Sequence, residues 1–172
     1  GGKYQVVEAA IMDWADDIAY SIHDVEDFYR AGLIPLHMLA QHEEERNVFL
    51  DQVFKRHEVK GGPIQPAEHA DLAQAFHEFF SPYRGVPITE PYNGSAAQRM
   101  LLNMFKARKI GELVKATVLT ADPANPIDVD PRLRNQVRIT KELVWQYVIL
   151  NPALATQQHG YKQIVPSLFD EY

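Results

Sequence analysis

The densest chemistry in the sequence lies in the stretch Asp13-Trp14-Ala15-Asp16-Asp17-Ile18-Ala19-Tyr20-Ser21-Ile22-His23-Asp24-Val25-Glu26-Asp27. On a helix Asp16, Tyr20 and Asp24 recur every four residues, so they stack along one face, two carboxylates flanking a phenol. Like charges four residues apart, as Asp13 and Asp17 would be, cost a helix a few tenths of a kcal/mol. A hard metal ion, which takes carboxylate oxygens, or a sugar, whose hydroxyls donate to them, would turn that cost into a binding surface. Without such a ligand the same spacing describes a solvated acidic face. A second group is basic: Arg99, Lys106, Arg108, Lys109 and Lys115, with Glu112 the one acid among them. Polyphosphate recognition needs such cations, arginine as a bidentate fork and lysine as a point charge. Lys109 and Lys115 read more readily as a solvated helix flank. A third group, Arg132, Arg134, Arg138 and Lys141, suits an effector nucleotide, a neighbouring subunit, nucleic acid, or simply a solvated turn.

The elements that must position these groups are mostly helical. Val7, Ile11, Trp14, Ile18, Ile22, Val25 and Tyr29 recur at intervals of three or four, the stripe of an amphipathic helix, and Gly32 fits its stop. Pro35 opens a second segment, and the span Glu43 to Val59 ends at Gly61-Gly62-Pro63. Pro66 starts a helix through Leu72, Phe76, Phe79 and Phe80. The span Pro82 to Ser95 holds three prolines and two glycines and reads as an irregular loop. Ser95 caps a long helix carrying Met100, Leu101, Met104, Ile110, Leu113, Val114 and Val118. Alternation around Pro131 in Ile127-Asp128-Val129-Asp130 and Val137-Arg138-Ile139 predicts a small β-hairpin near 127–139. Thr140 then caps a further helix through Leu150, and a helical segment from Ala153 to Phe169 breaks near Gly160 and Pro166. The fold class is all-α apart from that hairpin. Trp14, Phe28, Phe76, Phe79, Phe80, Trp145 and Phe169 read as core, and Tyr83 and Tyr92 as cleft-lining residues of the loop.

Composition bounds the function. The 172 residues, 46% hydrophobic and 23% charged, suffice for one well-buried domain and lie far from the disordered corner. No apolar run approaches the roughly 20 residues of a membrane-spanning helix, so no membrane partner is expected. The absence of cysteine excludes disulfides, thiolate metal sites and cysteine nucleophiles, and fits a cytoplasmic location. A net charge of −6 gives no indication of general nucleic-acid binding. The start, Gly1-Gly2-Lys3-Tyr4, has neither an apolar signal core nor an initiator Met, so a processed, tagged or excised fragment is expected.

The stretch Ala15 to Asp27 resembles the signature of the deoxyguanosine triphosphate triphosphohydrolases of the HD-domain superfamily. Tyr147-Val148-Ile149-Leu150-Asn151-Pro152-Ala153-Leu154-Ala155, with Gln157-Gln158-His159-Gly160, resembles the same family's C-terminal region. The resemblance runs from about Val7 to near the end of the chain and is weakest over Glu43 to Gly94. It implies an all-helical hydrolase whose divalent ion (Mg²⁺, Mn²⁺ or Fe²⁺) is held by two histidines and two aspartates. Such an enzyme splits dGTP or another dNTP into deoxynucleoside and inorganic triphosphate. Matched residue by residue, it implies Asp16 as the last metal ligand and Tyr20 as the ring packed on the deoxyribose, excluding a 2′-hydroxyl. Asp24 is implied as the acceptor for the 3′-hydroxyl, and Arg99 as a nucleotide contact near the start of its helix. Lys106 joins Arg99 as a candidate substrate-binding cation.

The pair His23-Asp24 looks like the family's HD dipeptide but falls inside the motif that follows it, and one helical step turns His23 about 100° from Asp24. His37, His42, His57, His69, His77 and His159 match none of the family's ligand histidines and read as surface or loop residues. The expectation is therefore that residues 1–172 form a single helical unit, the C-terminal portion of a triphosphohydrolase, lacking the upstream histidine and HD motifs. By itself it would hold no complete active site, no catalytic residue and no retained metal. It would associate with copies of itself through uncovered apolar surface, as part of a homo-oligomer. Two other readings compete: a non-catalytic helical module for oligomerisation or partner binding, and a self-sufficient carboxylate metal site of Asp13, Asp16, Asp17 and His23.

Overall fold

A computed structural model of the chain describes residues 6–61, 65–81, 88–154 and, beyond those, 156, 160, 162, 164, 166 and 168. The order of elements is α1 (Val7–Arg30), α2 (Leu36–Gln41), α3 (Glu43–Gly61), α4 (Pro66–Phe79), α5 (Ala96–Lys115), β1 (Thr117–Leu119), β2 (Ile127–Val129) and α6 (Pro131–Val144). A π-helical turn, Trp145–Ile149, continues α6. Mainly helical architecture is thus what the periodicity predicts. Tyr83, His159 and Phe169 lie outside the described residues.

The stripe read from the sequence buries the inner face of α1, where Ile18, Ile22, Val25 and Tyr29 are all under 5% exposed. The helix ends where Gly32 takes φ +74°, a backbone conformation that costs other residues more. α1 packs on α6 and α5, and α4 packs on α6. Between them sits an aromatic core, with Phe49 and Phe76 rings 4.8 Å apart and Phe79 and Phe105 edge to face at 5.7 Å.

Five expectations are corrected. Val137-Arg138-Ile139 is helix, and the strand Ile127–Val129 pairs backwards, antiparallel, with Thr117–Leu119, not forwards in a 127–139 hairpin. Its carboxylate in reach of the Arg132 amide at 2.9 Å, Asp130 caps α6, with Pro131 in the first turn. The buried set Gln136, Val137, Ile139, Thr140 and Leu143 then follows helical spacing. Thr140 is accordingly no cap; its hydroxyl donates to the Gln136 carbonyl. Val118 lies in β1, because α5 ends at Lys115 and the Thr117 hydroxyl donates to Leu113 O while accepting from Trp14 Nε1 at 2.8 Å. Lys109 is no solvated flank: it is 1% exposed, its ammonium 4.7 Å from the Phe79 ring centre and 3.5 Å from Gln136 Oε1. Trp145 is 41% exposed, with the Arg56 guanidinium over its ring.

Candidate functional site

Helix α1 carries Asp16, Tyr20 and Asp24 as the sequence predicts, on a single face. Successive members are turned about 40° and Asp16 lies about 12 Å along the axis from Asp24. The face points outward. Asp16 is exposed, Tyr20 is 62% exposed and Asp24 is half-buried. Burial pushes the Asp24 carboxyl up, Asp27 adds to the rise and His23 opposes it. Asp17, next to this face, reaches across to α6 and pairs with Lys141.

The basic candidates stand on the other flank of α1. Lys106 Nζ is 2.7 Å from Glu26 Oε2, and Glu26 is two residues, about 200°, from Asp24. Arg99 is exposed in the first turn of α5, where the Ser95 hydroxyl accepts from the Gln98 amide at 3.2 Å. No hydrogen bond or ion pair among the described residues joins Arg99 or Lys106 to Asp16, Tyr20 or Asp24. The structure therefore brings the three α1 residues together and leaves the two cations apart from them.

The metal implied by the resemblance does not fit the residues present. Among the described residues no three of His, Asp, Glu and Cys converge on one point, and Asp16 alone would be a single ligand. Three of the described histidines do structural work instead. His57 Nε2 is 2.9 Å from Glu142 Oε1, beside Arg56, which pairs with the same carboxylate. His69 stacks on Phe54 at 4.0 Å, and Arg46 Nε donates to His77 Nδ1 at 3.1 Å. The reading of these three as surface or loop residues is thus corrected: they are half-buried and on helices, where no sequence pattern marked their partners. Tyr147, in the second resembling stretch, is a packing residue; it stacks on Phe49, and burial with Glu45 nearby pushes its phenol up to about 12.

Two further surface features lie beside α1, the first of them at the loop that reads as cleft-lining in the sequence. One is a hollow of about 230 Å³ at the start of α5, lined by Tyr29, Glu90, Asn93, Ser95 and Gln98 together with Ile88, Leu101 and Leu102. Its polar groups are largely used on one another: Asn93 N donates to Gln98 Oε1 at 2.7 Å, and the Tyr29 hydroxyl donates to Glu90 O. Tyr92 packs edge to face on Tyr29 behind it. The other is an apolar groove of about 370 Å³ between α1 and the α5–β1 end, lined by Ile11, Ala15, Ala19, Ile110, Val114 and Leu119. It borders the Asp16 edge of α1.

The chain resembles deoxyguanosinetriphosphate triphosphohydrolase-like proteins. One from Streptomyces coelicolor is 35% identical over 121 residues, 67% of this chain and 25% of that protein. One from a Shewanella species is 27% identical over 99% of this chain and 33% of that protein. One from Corynebacterium diphtheriae is 29% identical over 84% of this chain and 32% of that protein. The chain thus spans a quarter to a third of the length of these relatives. No family model matches it, and no solved structure matches it. No helix among the described residues is long and apolar enough to cross a membrane.

Proposed function

We propose that this chain is part of a metal-dependent deoxynucleoside triphosphate triphosphohydrolase that converts dGTP and water into deoxyguanosine and inorganic triphosphate. The observation that carries the reading is the alignment of Asp16, Tyr20 and Asp24 along the outward face of α1, in a chain whose relatives are named as deoxyguanosinetriphosphate triphosphohydrolase-like proteins. In this reading the Tyr20 ring lies against the deoxyribose, leaving no room for a 2′-hydroxyl, and Asp24 accepts from the 3′-hydroxyl. Asp16 is one ligand of a divalent ion, Mg²⁺, Mn²⁺ or Fe²⁺, whose other ligands do not come from the described residues. Water attacks the α-phosphorus, the bond to the sugar 5′-oxygen breaks, and that oxygen leaves as the deoxynucleoside hydroxyl. The reading places the protein in the cytoplasm, where dNTPs are.

A second reading, a non-catalytic helical module, predicts that Asp16, Tyr20 and Asp24 all face water; the exposure of Asp16 and Tyr20 favours it, and the half-burial of Asp24 does not. One assay separates the two: triphosphate release from dGTP with Mn²⁺, by this chain and by a longer chain carrying the histidine–aspartate motifs. Activity in the longer chain alone, abolished by Asp16→Ala, is expected. Activity in neither, or no loss in the Asp16→Ala variant, would overturn the hydrolase reading.

A further inference from the structure

Helix α5 turns an apolar ridge to solvent. Met100, Met104, Ala107, Gly111 and Val114 recur at intervals of four, three, four and three, the spacing of a helix-packing seam. Met100, Met104 and Val114 are 59%, 60% and 57% exposed, and the buried residues Leu102, Phe105, Lys109 and Leu113 lie on the opposite face of the same helix. The ridge runs into the apolar groove, whose α1 wall is Ile11, Ala15 and Ala19. Together they make one band two helices wide.

The edges of the band carry opposite net charge. Beyond α1 stand Asp16 and Asp27, exposed, with Arg30 beside them 3.8 Å from Glu26; beyond α5 stand Arg108 and Lys115, exposed, with Glu112 3.9 Å from Arg108. The contacts Glu26 with Lys106 and Trp14 with Thr117 show that α1 and α5 run antiparallel and fix their register. In that register Lys115 stands level with the turn of Asp16, and Arg108 stands within about a turn of Asp27.

We infer that this band is the interface between two copies of the chain, related by a two-fold axis parallel to the helices. That axis lays α5 of each copy over α1 of the other, seats Val114 against the small residues Ala15 and Ala19, and sets the acidic edge of one copy against the basic edge of the other at matching height. A two-fold axis across the helices would instead set acid against acid, so the charge pattern selects the first. The inference goes beyond the proposed function and does not rest on it.

Sedimentation equilibrium of the whole chain tests it. A mass of twice 19.6 kDa is expected, falling to 19.6 kDa in Val114→Glu and Met104→Glu with helicity by circular dichroism unchanged. The charge alignment is tested by mixing: Arg108→Asp and Asp27→Arg should each weaken self-association at least tenfold, and their equimolar mixture should restore it. A monomer at every concentration overturns the inference, as does an oligomer that Val114→Glu leaves intact, or a mixture that fails to recover. None of these outcomes alters the triphosphate assay of the extended chain.

Discussion

At the scale of single residues, the buried cations are the most telling. The Lys109 ammonium sits beside Phe79, Gln136 and Glu112, its stem in the core. Shortening that stem leaves a cavity, so Lys109→Ala should cost about 2–4 kcal/mol in urea unfolding. Lys109→Met keeps the volume and removes the charge, and should stay within about 1.5 kcal/mol of the parent. Glu142 is the shared carboxylate of Arg56 and His57, with both Arg56 and Glu142 side chains under a fifth exposed. Glu142→Gln would strand the Arg56 charge and should cost about 3 kcal/mol by the same measurement.

At the scale of elements, two helix starts and two histidine tethers can be tested. Ser95 and Asp130 each accept from an amide of the first turn, so Ser95→Ala and Asp130→Ala should each lose about 1 kcal/mol, α5 and α6 being the helices affected. His57 ties α3 to α6, and His77 on α4 accepts from Arg46 on α3. Desolvation holds both below the usual 6.5; Arg56 and Arg138 press His57 down further, and Arg46 does the same for His77. A histidine depressed in the folded state binds its proton more readily unfolded. Its contribution is therefore present above about pH 6.5 and lost as pH falls through the lower folded values. Urea midpoints should drop between pH 7.5 and 5.5, and the drop should shrink in a His57→Gln, His77→Gln double variant.

At the scale of the whole molecule, α1 divides its duties. One side joins the core, one carries the acidic and phenolic face, and one walls the apolar groove. Because no cluster of ligands forms among the described residues, calorimetric titration of this chain with Mn²⁺ should show no binding tighter than millimolar. Sub-millimolar binding would instead support a local site of Asp13, Asp16, Asp17 and His23.

Much of this was legible in the sequence. The apolar stripe fixed which side of α1 is inside, and the four-residue spacing of Asp16, Tyr20 and Asp24 fixed that they share a face, because helical geometry is local. Gly32, Pro66 and Ser95 marked boundaries for the same reason. What depended on distant chain was not legible. Val137-Arg138-Ile139 alternates like a strand, yet Asp130 and Pro131 start a helix whose apolar face is buried against α1 and α4. Ile127–Val129 found its partner strand upstream, at Thr117–Leu119. Lys109 looked like its basic neighbours until packing of α5 against α4 and α6 enclosed it. The outward aim of Asp16 and Tyr20, and the separation of Lys106 and Arg99 from them, were decided by which flank of α1 the other helices cover. Such choices rest on burying apolar area between elements far apart in the chain, and no local pattern encodes them.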